Sequence, residues 1–400
     1  MSVDREYILN PEKGTLSPGV CEGGSSMKRI VLTGGGTAGH VMPNLALLPK
    51  LRNKGWEVIY IGSYDGIERE LIEEQQVTFY PVATGKFRRY LSVQNFTDPF
   101  RVVKGLIQSY RLLKKLRPQV VFSKGGFVAV PVTIGAWLNQ IPVVLHESDL
   151  TPGLANRLAL PFASAVCATF PETIKFLPKG KRVLTGNPIR PELLAGSKEQ
   201  GLKLCDFTPE KPVLLVMGGS LGSVTINRLI RAILPDLLLQ FQVAHICGQG
   251  NVDEKLTGFK GYKQFAFLGL ELPHIMAAAD ICISRAGANF LFELLALKKP
   301  HLLIPLPKSS SRGDQILNAQ SFKGQNFSMV LYEEEITETI LKNQILALYQ
   351  NRQDYIKAMS ESNLADAATE ILRVIETTAA PVLPSPTAGG TAPRSVRGRK

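Results

Sequence analysis

Residues 284–319 concentrate side chains and turns suited to holding an anion and a sugar. An apolar strand, Ile281-Cys282-Ile283, runs into Ser284-Arg285-Ala286-Gly287-Ala288-Asn289 and then into an amphipathic helix carrying Glu293. Small residues at a strand-to-helix turn let a ligand approach the backbone, and the helix N-terminus offers unpaired N–H groups to an anion. Glu293 falls about two turns into that helix, at roughly 3.6 residues per turn, where a carboxylate accepts hydrogen bonds from a ribose diol. A second strand, His301 to Leu306, is expected to end in a Ser/Gly/Asp loop and a helix starting near Asp314-Gln315. Asp314, Gln315 and Asn318 are then in reach of sugar hydroxyls. A plain helix end with a solvated loop is the alternative.

Arg29 to Thr33 reads as a buried strand, followed by Gly34-Gly35-Gly36-Thr37-Ala38-Gly39-His40, a helix from about Met42 to Lys54 and a second strand, Glu57 to Gly62. This order is the mononucleotide-binding unit of a doubly wound sheet. A dinucleotide fold also wants an acid at the end of the second strand. Here that strand ends Gly62-Ser63-Tyr64, with Asp65 late, so an NAD-dependent oxidoreductase fits poorly. Val120 to Phe122 leads into Ser123-Lys124-Gly125-Gly126-Phe127, and Pro142 to Leu145 into His146-Glu147-Ser148-Asp149. Polar groups at the carboxyl ends of parallel strands point into one crevice. His40 alone reads as a helix cap and His146 alone as a satisfied core histidine. Two histidines and a glutamate at strand ends of one half favour chemistry instead.

The second half repeats the outline. Val213 to Met217 precedes Gly218-Gly219-Ser220-Leu221-Gly222-Ser223 and a helix holding Asn227, and further strands are expected at Gln242 to Cys247, around Phe265 to Leu268, and at Ile281 to Ser284. Two such units imply an α/β chain of two Rossmann-like domains facing across a cleft. Gly186-Asn187-Pro188-Ile189-Arg190-Pro191 marks the boundary, because its prolines break helix and strand. The expected layout is a disordered extension (1–26), an N-terminal domain (27–188), a C-terminal domain (189–362) and a disordered basic tail (377–400). Helices are predicted from about Thr337 to Tyr349 and from Arg352 to Glu376.

Composition bounds the class. In 400 residues, 44% hydrophobic and 20% charged content suit a folded soluble protein with two cores. The five cysteines (Cys21, Cys167, Cys205, Cys247, Cys282) lack CxxC spacing and read as core residues in a reducing compartment. The five histidines form no metal-ligand pattern, so neither a metal nor a cofactor is expected. The N-terminus has no signal core and no run reaches the roughly 18 apolar residues of a spanning helix, which places the chain in the cytoplasm. The net charge of +12 is concentrated. Lys86 to Arg117 holds nine basic residues against Asp98 alone, interleaved with Phe87, Tyr90, Leu91, Phe96, Phe100 and a helical apolar run from Val102 to Leu116. A solvated helix face is the ordinary reading; the added aromatics suit anionic lipid. Nucleic acid is disfavoured because no reading motif accompanies the charge.

Taken together, these motifs resemble the MurG family of bacterial peptidoglycan glycosyltransferases over about residues 27–376. They are Gly34–His40, Gly125-Gly126-Phe127, His146-Glu147, Gly186-Asn187-Pro188, Gly218-Gly219-Ser220 with Gly222 and Asn227, Ser284-Arg285 with Gly287 and Glu293, and Asp314-Gln315 with Asn318-Ala319. The resemblance implies the glycosyltransferase B fold, with a last helix (363–376) returning to the N-terminal domain. It implies inverting transfer of N-acetylglucosamine from UDP-N-acetylglucosamine to lipid I, the undecaprenyl-diphosphate-linked muramoyl pentapeptide, giving lipid II. The place is the cytoplasmic face of the bacterial cell membrane, with the anionic inner-membrane surface and other cell-wall synthesis and division proteins as candidate partners.

Carried over by position, the resemblance gives the donor to Thr37, Gly39, Arg190, Ser220, Gly222, Asn227, Phe267, Leu268, Arg285, Gly287, Ala288, Glu293, Asp314, Gln315 and Asn318. Glu293 takes the ribose, Phe267 and Leu268 the uracil, and the Gly218–Gly222 turn the diphosphate. Gly35, Gly36, Gly125, Gly126 and Phe127 face the acceptor diphosphate. His40 is the candidate base, since imidazole titrates near working pH, and Glu147 is the alternative. With no DxD-like motif, helix N-termini and Arg285 are expected to meet the charge developing on UDP. Ala38, Phe127, Ser148-Asp149 and Asp314 depart from one branch of the family, and Phe127 lacks the hydroxyl of the tyrosine often found there. Other readings are a different UDP-sugar enzyme of this fold, either a lipid glycosyltransferase or a UDP-N-acetylglucosamine epimerase, and a non-catalytic UDP-sugar-binding membrane tether.

Overall fold

A computed structural model describes residues 27–85, 94–219, 222–310, 313–364 and 366–381. Two parallel sheets carry the chain. The first has seven strands, β1 (Lys28–Thr33), β2 (Trp56–Ser63), β3 (Thr78–Val82), β4 (Val120–Ser123), β5 (Val143–Glu147), β6 (Ala165–Ala168) and β7 (Arg182–Leu184), in the order β3-β2-β1-β4-β5-β6-β7. The second has six, β8 (Val213–Met217), β9 (Gln242–Ile246), β10 (Tyr262–Phe265), β11 (Ile281–Ser284), β12 (His301–Leu303) and β13 (Ser328–Val330), in the order β10-β9-β8-β11-β12-β13. Central strands such as β4 and β5 are buried along their whole length. Both their faces are covered by helices, which is why they read as unbroken apolar runs.

Strand order reverses between β1 and β4 in the first sheet and between β8 and β11 in the second. At such a switch point the loops leaving the two neighbouring strands diverge, and a crevice opens at their carboxyl ends. The four loops concerned begin at Gly34, Lys124, Gly218 and Arg285.

One face of the first sheet is covered in part by the last helix, Ala367–Thr378, whose Ile371, Leu372, Val374 and Ile375 pack with Ile30, Leu32 and Phe122. The halves also meet through an apolar cluster. Phe170, fully buried on the segment after β6, lies edge-on to Phe292 (5.5 Å between ring centroids) and Phe322 (6.2 Å) of the second half.

Three elements differ from the sequence expectation. The strand expected around Phe265 to Leu268 is Tyr262–Phe265, because its partner β9 ends at Ile246 and the chain then turns at Gly248 (φ +92°). The strand from His301 stops at Leu303, before Pro305, which has no N–H to give a ladder. The helix from Arg352 is two helices, Arg352–Ser360 and Ala367–Thr378. Leu364 is drawn between them into the cluster around Phe292, and Asp366 caps the second helix by accepting from Thr369 N (3.3 Å). Of the basic–aromatic stretch, residues 86–93 and the side chains of 94–100 lie outside the described residues, as do the 1–26 extension and most of the tail. The helix Gln94–Leu116 buries Leu113 and Leu116 and exposes Val103, Ile107, Arg101, Lys104 and Arg111.

Candidate active site

Loops from both switch points line one cleft of about 1630 Å³. The first half contributes Gly35, Gly36, Thr37, Gly39, His40, Gly126, Phe127 and Glu147. The second contributes Gly222, Phe267, Leu268, Arg285, Gly287, Ala288, Glu293 and Gln315, with Arg190 from the linker. Gly125, Asn227, Asp314 and Asn318 do not line it, and Ser220 lies outside the described residues. Close backbone approach explains two of the glycines. At Gly126 (φ +83°) a β-carbon would run into the Gly35 carbonyl, so the turns after β1 and β4 touch. At Gly222 (φ +78°) it would meet the Cys247 carbonyl.

His40 sits in the first turn of the helix Ala38–Asn53, with Nδ1 3.0 Å from Thr37 Oγ1. Burial, and then the positive charge of Lys124, holds its pKa down at about 4, against the opposing pull of Glu68 and a hydrogen bond to the Gly35 backbone. The ring is therefore neutral near pH 7, the state that can accept a proton. Glu68 lies fully buried under the first glycine loop, accepting from Gly36 N (3.2 Å), Ser63 N (2.9 Å) and Ser63 Oγ.

Glu147 is buried, and both its oxygens are engaged. Oε1 accepts from Asp149 N (2.9 Å), and Oε2 from Gly153 N (3.1 Å) and Asn156 Nδ2 (2.8 Å). Burial still lifts its pKa to about 7. These bonds shape the loop after β5. Beside it, Lys124 is 1% exposed and donates to His146 Nδ1 (2.6 Å), Ser148 Oγ (2.6 Å) and Asn187 Oδ1 (2.8 Å). His146 Nε2 pairs with the Gly186 carbonyl (2.9 Å), and burial first, then Lys124, keeps that ring neutral.

On the other side, Glu293 Oε1 accepts from Arg190 Nε (3.1 Å) and lies 3.1 Å from Nη2 in an ion pair, while Oε2 carries no hydrogen bond among the described residues. Burial raises the Glu293 pKa and Arg190 pulls it back. The Arg285 guanidinium is buried and held by Ser223 Oγ (2.7 Å), Ile304 O (3.1 Å), Pro305 O (3.3 Å) and Glu333 Oε2 (2.6 Å). Gln315 Oε1 accepts from Ala286 N (3.3 Å) and Leu306 N (3.1 Å), and Asn318 Nδ2 donates to Ala286 O (3.1 Å), so both brace the turn after β11. Asn227 is buried between Cys247 O (2.9 Å) and His245 Nε2 (3.0 Å). Phe267 is 62% exposed beside the buried Leu268. Two asparagines join the halves: Asn187 Nδ2 donates to Asn289 Oδ1 (2.9 Å), and Asn289 Nδ2 to Gly39 O (3.4 Å).

Residues 30–168 match the glycosyltransferase family 28 N-terminal domain, and residues 213–374 its C-terminal domain. A Geobacillus thermodenitrificans protein named UDP-N-acetylglucosamine--N-acetylmuramyl-(pentapeptide) pyrophosphoryl-undecaprenol N-acetylglucosamine transferase is 58% identical over 353 residues, covering 88% of this chain and 99% of its own. The chain belongs to the MurG family. A Clostridium tetani protein of the same name is 54% identical over 349 residues, covering 87% of this chain and 98% of its own. The crystal structure of Acinetobacter baumannii MurG shares the fold, with a TM-score of 0.69 at 24% identity over 88% of this chain and 99% of that one.

Within this MurG-family chain, the first matched segment holds β1 to β6 and the second holds β8 to β13 together with most of the last helix. Sequence reasoning passed over Lys124, Glu68, Ser223, Asn187 and Asn289 as site residues. A lysine placed between a buried strand and two glycines was the available signal for Lys124; Ser223, Asn187 and Asn289 stood in named motifs without a role, and Glu68 had no signal. Among the described residues, no three His, Cys, Asp or Glu side chains gather as metal ligands, and no helix is long and apolar enough to cross a membrane.

Proposed function

We infer that the cleft carries out the reaction for which its close relatives are named, moving N-acetylglucosamine from UDP-N-acetylglucosamine to the muramoyl O4 of lipid I. The observation that carries this reading is the pairing, in one cleft, of a neutral histidine from one domain with an anchored carboxylate from the other. Glu293 Oε2 accepts from the uridine ribose, and Phe267 and Leu268 flank the base. Gly218, Gly219 and Gly222 and the helix starting at Val224 receive the diphosphate, a role the sequence also assigns to Ser220. Arg285, fixed by four partners, contributes a positive field. Thr37, Gly39, Arg190, Gly287, Ala288 and Gln315 complete the donor walls. Asn227, Asp314 and Asn318 support them from behind. Gly35, Gly36, Gly126 and Phe127 face the acceptor diphosphate, and Gly125 supports their turn from behind.

In the step itself the acceptor O4 attacks the anomeric carbon in line, the bond from that carbon to the UDP oxygen breaks, and the configuration inverts. His40 takes the O4 proton, with Glu147 as the alternative base. Negative charge leaves on UDP and is met by helix N-termini and Arg285. The exposed Val103 and Ile107, ringed by Arg101, Lys104 and Arg111, together with Trp137 and Leu138 on the adjoining helix, suit the anionic inner leaflet.

The test is transfer of labelled N-acetylglucosamine to a lipid I analogue in detergent, with wild type and His40→Ala side by side. Transfer by wild type alone supports the reaction and the base. Saturable UDP-sugar binding without transfer by wild type overturns the acceptor and leaves another acceptor or a tether.

A further inference from the structure

The Lys124 ammonium is buried and borders the cleft. Its three acceptors have fixed orientations. His146 gives its Nε2 to the Gly186 carbonyl, so Nδ1 is the acceptor toward Lys124; Asn187 gives Nδ2 to Asn289, so Oδ1 faces the lysine. With Ser148 Oγ, all three N–H bonds of an ammonium are taken, and all three partners are neutral. Glu147 and Asp149 favour its charge, and Glu147 spends its oxygens on three other donors. Burial lowers the Lys124 pKa to about 7. A desolvated cation whose direct partners are all neutral is expensive, even with Glu147 and Asp149 favouring it through space. That expense makes sense where an anion arrives during the work of the protein.

The place fits such an anion. Lys124 N donates to the Thr33 carbonyl (2.9 Å), and a β-carbon on Gly34 would stand 3.2 Å from Lys124 Cβ. The lysine therefore lies where the two glycine turns after β1 and β4 come together.

We propose that Lys124 is a positioning residue whose buried charge selects a diphosphate-bearing acceptor and draws it onto those turns. This deepens the acceptor reading above and rests on it. The lysine holds Ser148 and Asn187 in place and acts on the anion through its field, so removing it weakens diphosphate acceptors more than less charged ones. A mere strut would weaken both alike.

The experiment uses the full chain and measures inhibition of transfer by farnesyl diphosphate and by farnesyl monophosphate. Wild type is scored first: absence of transfer would overturn the acceptor reading itself, whereas transfer without any preference for the diphosphate competitor would overturn only the role of Lys124. In Lys124→Met the preference for diphosphate over monophosphate should fall roughly tenfold, the scale of one charge removed from a partly screened site, with UDP-N-acetylglucosamine affinity kept within about twofold. Lys124→Gln, which keeps a polar head toward Asn187, serves if the methionine variant does not fold, and the same loss is expected. Ser148→Ala removes a strut bond but keeps the charge, and should retain the preference. Equal weakening of both competitors in the lysine variants, or loss of preference in Ser148→Ala, refutes the proposal.

Discussion

Replacing Arg190 by alanine tests how the donor half is organised. Arg190 makes two contacts of 3.1 Å, both to Glu293 Oε1, and the side chains are 31% and 10% exposed. An exposed ion pair is worth about 0.2–1 kcal/mol, and breaking a fully buried one costs about 3–5 kcal/mol. This pair lies between, near the roughly 1.5–3 kcal/mol of hydrogen bonds to charged groups. If the whole of that is felt through Glu293, Arg190→Ala should weaken UDP binding about 10- to 150-fold at pH 7. The pH dependence has a definite sign. Burial raises the Glu293 pKa and Arg190 opposes that rise. Without Arg190 the pKa climbs further, and a protonated carboxyl is a poorer acceptor for a ribose diol. Affinity should therefore fall as pH drops, starting at a higher pH in Arg190→Ala than in wild type. Calorimetric titration with UDP, on wild type, Arg190→Ala, Glu293→Gln and the double variant, reads this directly. If Arg190 acts through Glu293, its removal adds little once Glu293 is changed. Additive losses, within about 0.5 kcal/mol, would refute the coupling and give Arg190 a contact of its own.

Three further outcomes are expected. His40→Ala should abolish turnover while leaving UDP-sugar binding nearly intact; in wild type the acid limb of kcat/KM should fall near the His40 pKa of about 4, because protonation removes the base, and a limb near 6.5 would contradict that assignment. Gly126→Ala should cost about 1–3 kcal/mol of overpacking on top of about 1–2 kcal/mol for a side chain at positive φ, read by urea unfolding, with a matching rise in acceptor KM. Ile371→Ala, in the last helix, should destabilise by about 2–5 kcal/mol, with faster hydrogen exchange in β1 and β4; exchange changes confined to the second sheet would exclude its packing on the first.

The fold class was readable because β1, β4, β5, β8 and β11 are buried strands whose apolar runs end in small or polar residues. Strand order was not, since nothing in β4 announces that it lies beside β1 instead of β3. The three-residue strands β7, β12 and β13 are too short to carry a period, and Pro305 became visible as a stop only with the ladder in place. Motif residues such as His40, Arg285 and Glu293 stood out through glycine-rich neighbours. Buried polar groups did not: Asn187 and Asn289 are about a hundred positions apart, and each looks like an ordinary loop amide until folding brings them within hydrogen-bonding distance. Glu68 reads as one more acid in a polar stretch, yet it is fully buried beneath the first loop.

The last helix has a consequence for the order of synthesis. The first seven strands leave the ribosome well before residues 367–378, and until those arrive, Ile30, Leu32 and Phe122 lack part of their cover. Roughly 180 residues separate β7 from that helix, and at about 5–20 residues/s they take roughly 10–40 s to make. By the end of that interval the second domain has every residue of its own sheet, which closes at Val330, whereas the first still waits for its closing piece. The half translated first is thus completed last, and a nascent chain halted before residue 367 would display an apolar face to chaperones and proteases.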